Sequence, residues 1–316
     1  MDRNLALEVV RVTEAAALAS ARFMGRGDEA GADQAAIEAM RRAFNAIPVS
    51  GTVLIGEGSH DETPVLYAGE QVGEGGSATE VALDALEGAS ICATGGAGAL
   101  SIIAIAEHDV FFRCPNTYME KIAVGPDGRG IIDLERSATD NLKALAEAKG
   151  VYVADLTVAL LERPRHAKLI REVRSAGARV KLLAAGDLSA ALATTRPDSG
   201  IDVLMGIGGG LQGILAAAAL RCAGGDMQAR LSPLTQDDVR HCYAQGFTDL
   251  KRRYTLDELV RGNVMFAATG VTTGDYLEGV RFFRGGATTN SVVMRSQTRT
   301  VRYLQTTHHF EFKPEY

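Results

Sequence analysis

A chain of 316 residues with 46% hydrophobic and 23% charged residues can bury a large core, as one big domain or two intimate ones. The net charge of −6 and the absence of any dense Lys/Arg run argue against a nucleic-acid or anionic-membrane partner, so any bound anion is small. No stretch reaches the roughly 18 apolar residues of a membrane span, and Glu8, Arg11 and Glu14 interrupt the apolar N-terminus, so it does not read as a secretory segment.

Apolar residues at helical spacing predict a first helix over 5–24, with Ala-rich filling for close packing. Gly25, Gly27 and Gly31 then read as breakers, and a second helix is expected over 35–44. A short buried strand over 52–55 ends in the loop Gly56-Glu57-Gly58-Ser59-His60-Asp61-Glu62, and a second, over 81–83, runs into Asp84-Ala85-Leu86-Glu87-Gly88. Residues 99–124 read as successive strands. After Gly125-Pro126-Asp127-Gly128 the texture changes: a helix over 137–149 opens with a Ser137-x-x-Asp140 cap, and strand and helix then alternate to residue 222. That rhythm predicts a parallel α/β layer, and residues 263–305 return to strands. Cys92, Cys114, Cys222 and Cys242 lie far apart with no C-x-x-C pair, as expected of reduced thiols in a soluble cytoplasmic protein.

Acidic residues collect where buried strands end. Glu57 and Asp61 follow one strand, Asp84 and Glu87 another, and loops over strand ends are where α/β proteins build sites. Carboxylates from separate loops suit Mg²⁺ or Mn²⁺, hard cations that take oxygen ligands. Two such ions about 4 Å apart can serve phosphoryl transfer. An Asp or Glu beside Gly is, taken singly, equally an ordinary solvated turn residue.

The motifs in register carry more. Ile55-Gly56-Glu57-Gly58 with Asp61-Glu62-x-Pro64-x-Leu66-Tyr67, Leu83-Asp84-Ala85-Leu86-Glu87-Gly88, Tyr118-Met119-Glu120-Lys121, Arg163-Pro164-Arg165-His166 and Gly206-Ile207-Gly208-Gly209 resemble, in order, the class II fructose-1,6-bisphosphatases. Leu259-Val260-Arg261-Gly262 and residues 267–272 are also similar. The resemblance implies a layered α-β-α-β-α fold of the lithium-sensitive sugar-phosphatase type, in two closely packed subdomains. It implies divalent metal (Mg²⁺ or Mn²⁺), a phosphorylated sugar as substrate and a homo-oligomer, dimer or tetramer. Carried over by position, Asp33, Asp61 and Glu57 are the expected catalytic carboxylates; Glu57, Asp84, Glu87 and Gln212 are the expected metal ligands. Tyr118, Lys121, Arg163, Arg165, Asp187 and Gly208 are expected to hold phosphates and sugar, although Asp187 in a Gly-Asp turn also reads as a helix N-cap and the arginines as surface ion pairs. Residues 1–135 are expected to form the metal subdomain and 136–316 the substrate side, the C-terminal strands being compatible with a return to the first.

Three departures from the family pattern fall on chemistry: Ala89 replaces a Thr, Gln212 a metal-binding Glu, and Ala185 an acidic sugar contact. Ser59 and His60 also stand where the pattern has Glu and its neighbour. Alanine has no side-chain hydrogen-bonding group, and losing one placed catalytic group commonly costs about 10² to 10⁴ in rate. The expectation is a slow or retargeted sugar-phosphate phosphatase. Alternatives are a non-hydrolysing phosphosugar-binding paralogue and a different reaction assisted by His60. A dinucleotide reading of Gly208-Gly209-Gly210-Leu211-Gln212-Gly213 is set aside, because no acidic residue follows at the required spacing; a helix N-terminus able to seat an anion remains.

Overall fold

The computed structural model describes residues 5–58 and 64–312. Asp61 and His60 lie outside the described residues. Contacts divide the chain into two compact units, Met1–Val110 with Gly262–Tyr316, and Phe111–Arg261. Numbered along the chain, the first unit opens with α1 (Leu5–Ser20), α2 (Glu29–Phe44), β1 (Val49–Ile55), β2 (Gln71–Val72), β3 (Ser77–Glu87), α3 (Ala89–Thr94) and β4 (Leu100–Ala106). The second unit holds β5 (Tyr118–Val124), α4 (Ala138–Lys149), β6 (Thr157–Leu161), α5 (Ala167–Ser175), β7 (Arg179–Leu183) and α6 (Asp187–Ala193). It continues through β8 (Val203–Gly209), α7 (Gly210–Ala223), β9 (Asp226–Leu231), α8 (Gln236–Ala244), β10 (Arg253–Thr255) and α9 (Leu256–Leu259). Strands β11 (Val264–Gly270), β12 (Arg281–Phe283), β13 (Gly286–Arg295) and β14 (Thr300–His309) rejoin the first unit. The 135/136 boundary read from sequence falls inside the second unit, because β5 pairs with β8 along its whole length.

The sheet of the first unit runs β12-β13-β11-β4-β3-β1-β2, with β14 on β13. Among the described residues of this sheet only β1 and β3 pair in parallel; the other pairs are antiparallel. Helix α1 packs on this sheet and against α2, and its Val9, Val12, Ala16 and Ala17 are fully buried. A buried hydroxyl chain pins it there: Thr13 Oγ1 lies 2.7 Å from Thr269 Oγ1, which lies 2.8 Å from Ser291 Oγ. Buried hydroxyls that satisfy one another fix an orientation that apolar packing alone leaves free to slide. Helix α2 starts at Glu29, earlier than residue 35, and Gly31 lies within it. The reason is local. Asp28 caps the helix by accepting the Gly31 N–H at 2.9 Å, and a Cβ on Gly31 would sit 2.2 Å from the Asp28 carboxylate and 2.8 Å from Phe23. Glycine there makes room; it does not break the helix.

The second sheet runs β10-β9-β5-β8-β6-β7. The expected parallel layer is confined to β8, β6 and β7; β5 pairs antiparallel with both β8 and β9. The sheet is therefore mixed, because β5 enters its centre before the alternating segment begins and only the helix-crossed strands run parallel. Alternation along the strands sorts two helical layers. Ile122, Val124, Val158, Leu160, Val203 and Met205 face Leu142 and Leu145 of α4 and Val173 of α5. On the opposite face, α7 approaches Met119: a Cβ on Gly213 would lie 2.9 Å from its sulfur. Helix α7 is buried on nearly all sides, which fits its near-continuous run of Ala, Ile and Leu. No helix among the described residues is long and apolar enough to cross a membrane.

Candidate active site

The candidate residues fall in both units. In the first, the chain leaves β1 through Gly56, where a Cβ would lie only 2.0 Å from the Leu66 carbonyl. That close return lets the Glu57 N–H donate to the Leu66 carbonyl at 3.0 Å. The Glu57 side chain then turns to β3, and its Oε1 accepts the Ala85 N–H at 2.6 Å. One carboxylate thus ties the loop after β1 to the backbone between Asp84 and Glu87.

Strand β3 carries an irregularity at that point. Asp84 stands opposite Ile102 and Glu87 opposite Leu100, so three steps along β3 match two along β4. A regular strand would send residues three apart to opposite faces; the extra residue of a bulge returns both acids to one face. A second shift, between Val53 and Ile55, bends β1 just before Glu57. Asp33 reaches the cluster from α2. Burial, then the Asp84 charge, pushes the Glu57 carboxyl up to about 8; the Ala85 N–H opposes the rise and Asp33 adds to it. Burial and Glu29 also raise Asp33. Glu87 is 5% exposed. Asp84 and Asp33 both disfavour the charged form of Glu57, and an all-oxygen donor set of this kind matches a hard divalent cation. Ala89 is the first residue of α3, directly after Gly88 in a left-handed conformation (φ 85°).

A different trio, Glu80, His108 and Asp109, brings its ligand atoms within 4.8 Å of one another near the opposite end of β3. It shares no residue with the predicted set.

In the second unit the predicted substrate residues converge where β8 leaves β6. The two strands pair only at Val158–Val203 and Ala159–Leu204. Beyond that point Lys121 of β5, with 2% of its side chain exposed, lies 2.7 Å from Asp187 Oδ2 and donates to the Gly209 carbonyl at 3.0 Å. Gly208 leaves room for this pair: a Cβ there would sit 2.0 Å from Asp187 Oδ2 and 3.2 Å from Lys121 Cε. The N-cap reading of Asp187 is corrected. Gly186, in a left-handed conformation, is the cap of α6, and the Asp187 carboxylate faces lysine.

The arginines also depart from the surface ion-pair reading. Arg163 donates to the carbonyls of Glu162 at 2.8 Å and Ala184 at 2.7 Å. Arg165 donates to the Ile207 carbonyl from Nε at 3.3 Å and Nη2 at 2.9 Å, with its guanidinium 5.1 Å from the Tyr118 ring centre. Backbone carbonyls hold both planes without neutralising them. Gln212 is in the first turn of α7, and its Oε1 folds back over Gly209, where a Cβ would meet it at 2.1 Å. The anion seat expected at this helix start is partly filled, since the Gly210 N–H donates to the Thr117 carbonyl at 2.8 Å.

One residue that sequence reasoning did not single out is His166. Its Nε2 accepts the Ile207 N–H at 2.8 Å, and its Nδ1 lies 2.7 Å from the Leu161 carbonyl. The signal was present in Arg163-Pro164-Arg165-His166, whose last member is buried, unlike an ordinary turn histidine.

Comparison with known proteins shows the family. Residues 3–308 match the family model described as bacterial fructose-1,6-bisphosphatase, glpX-encoded. A D-fructose 1,6-bisphosphatase class 2/sedoheptulose 1,7-bisphosphatase of Synechococcus sp. (strain JA-3-3Ab) is 42% identical over 334 residues, covering 98% of this chain and 96% of the relative. The protein of the same description from Synechococcus elongatus is 41% identical over 337 residues, covering 98% of each. The chain belongs to the bacterial, glpX-encoded fructose-1,6-bisphosphatase family.

Proposed function

We propose that this chain is a phosphoric monoester hydrolase that removes a phosphate from a sugar bisphosphate of the fructose 1,6- or sedoheptulose 1,7-bisphosphate class, using Mg²⁺ or Mn²⁺. The observation that carries the reading is the Glu57 carboxyl, raised to about 8 by burial and by the Asp84 charge, with Asp33 adding to the rise, in a cluster of carboxylate oxygen donors. Asp33, Glu57, Asp84 and Glu87 would hold the cation, with Asp61 in support. When bound, such an ion supplies Lewis acidity toward phosphoryl oxygens and lowers the pKa of water.

The chain's own groups do the remaining work. Arg163 and Arg165 each use donors on backbone carbonyls, and a guanidinium has five N–H groups, so each keeps donors for phosphate oxygens. Tyr118, stacked by Arg165, offers its hydroxyl. Asp187 would accept from sugar hydroxyls while Lys121 balances its charge, and Gly208 lets a ligand approach the backbone closely.

Turnover is proposed to be slow or directed to a related phosphosugar. Ala89 has no hydroxyl to orient water, and the Gln212 oxygen rests on its own helix start without the charge a carboxylate would bring. The protein is further proposed to act in the cytoplasm as a homo-oligomer. Phosphate release from a panel of sugar mono- and bisphosphates, with Mn²⁺, Mg²⁺ or EDTA, tests the activity. Metal-dependent release from a bisphosphate is expected. Silence across the panel from a folded protein that binds phosphosugar would replace the hydrolase by a binding paralogue.

A further inference from the structure

Strand β8 loses its parallel partner after Leu204, yet it runs on to Gly208, one of the phosphosugar contacts proposed above. What replaces the missing ladder is the imidazole of His166. Nε2 accepts the Ile207 N–H at 2.8 Å, while the Ile207 carbonyl takes Arg165. Both main-chain groups of Ile207 are therefore held by side chains of one turn after β6. Because Nε2 is an acceptor, the ring proton sits on Nδ1 and is donated to the Leu161 carbonyl at 2.7 Å. The ring thus bridges the two strands where a peptide group would otherwise stand. Gly206 completes the fit: its φ is 125°, and a Cβ would lie 3.0 Å from Nε2.

We propose that His166 is a neutral, pH-sensitive clamp that positions the Gly206–Gly209 strand end, and through it the Lys121–Asp187 pair, for binding the substrate phosphosugar. This rests on the phosphatase reading for its substrate, but the clamp itself is a statement about one imidazole and one amide. Only the neutral ring can serve. A second ring proton would put an N–H donor against the Ile207 N–H, and the strand end would lose its tie to β6 while keeping its pairing with β5. The charged groups around the ring are Arg163 and Arg165 on its own turn, Asp187 on α6 and Lys121 on β5. Burial is the largest influence and holds the imidazole below its usual range; the Leu161 carbonyl and Asp187 oppose this, and the two arginines reinforce it. The clamp is accordingly set at neutral pH and released in acid.

The test pairs His166→Gln, which keeps an acceptor near the Nε2 position but does not titrate, with His166→Phe, which keeps a ring without an acceptor. Backbone amide shifts of Ile207, Gly208 and Gly209 are followed against pH, and KM and kcat are measured for fructose 1,6-bisphosphate. In the native protein the three amides should titrate together with an imidazole of the Nδ1–H form. KM should rise below that titration, approaching ~10-fold per pH unit beyond the limb set by the substrate's own phosphates. His166→Gln should flatten the amide titration and remove the extra limb. His166→Phe should raise KM roughly tenfold at every pH, with the larger change in KM than in kcat. An unaltered amide titration and acid limb in His166→Gln, or an Nε2–H tautomer in the native protein, would overturn the clamp. If fructose 1,6-bisphosphate is neither hydrolysed nor bound, the phosphatase reading fails, and the Ile207 amide titration still decides the clamp.

Discussion

Removing the Asp187 carboxylate should be among the most costly single substitutions in the second unit, and removing its partner as well should repair most of the damage. Lys121 and Asp187 form an ion pair at 2.7 Å with 2% and 9% of their side chains exposed, so solvent screens neither. Breaking a buried pair from one side leaves an uncompensated charge and costs roughly 3–5 kcal/mol. After Asp187→Leu the lysine ammonium keeps the Gly209 carbonyl, a neutral acceptor that cannot balance its charge. At about 2–4 °C per kcal/mol for a unit of this size, Tm should fall by of order 10 °C. The double variant Lys121→Met with Asp187→Leu removes both charges, and an apolar pair of similar volume is commonly neutral. Its Tm should recover to within a few degrees of the parent while affinity for phosphosugar remains lost. Thermal unfolding of the two single variants and the double variant, with phosphosugar binding measured on each, supplies the cycle. Additive losses, with the double variant the least stable of the three, would refute the reasoning.

The Glu57 carboxyl gives a pH prediction with a fixed sign. It ionises near 4.5 ordinarily and near 8 in the metal-free fold, so unfolding releases its proton between those values and metal-free stability falls as pH rises. The slope from this group approaches ~1.4 kcal/mol per pH unit; it should vanish in Glu57→Gln and be reversed by saturating Mn²⁺, and a metal-free Tm difference between parent and variant that stays flat from pH 5 to 8 would contradict it. Restoring the family residues with Ala89→Thr and Gln212→Glu together should raise metal-dependent phosphate release from fructose 1,6-bisphosphate by about 10² or more. No gain from that pair would remove the proposal that these two positions slow turnover.

The parts of the fold legible in the sequence were those written in local periodicity. The Ser137 cap of α4 appears as expected: its hydroxyl oxygen accepts the Asp140 N–H at 3.0 Å. The strand–helix alternation up to residue 222 holds, with ends displaced by a residue or more. What local pattern could not show was long-range. Gly31 looks like a breaker until Phe23 and Asp28 are seen to fill the space a side chain would need. The antiparallel insertion of β5 into the second sheet is a matter of partner choice, which apolar alternation does not encode.

The site divides in the same way. The residue types at Glu57, Asp84 and Glu87 were readable, but not the bulge that turns the last two to one face, since a bulge is defined only by the opposing strand. Lys121 read as a phosphate contact; its burial against Asp187 became visible only with α6 and β5 in place. His166 closes the Arg163-Pro164-Arg165-His166 motif, but the amide it accepts, that of Ile207, is 41 residues away in sequence and no local pattern points to it.

The most direct test of the account is a Mn²⁺ titration followed by electron paramagnetic resonance, with phosphate release from fructose 1,6-bisphosphate measured on the same samples, for the native protein and Asp84→Asn. Mn²⁺ should bind the native protein, its affinity should weaken at least ~10-fold in the variant, and phosphate release should be lost in step with it. Equal Mn²⁺ binding by both proteins, or phosphate release that persists in EDTA, would contradict it.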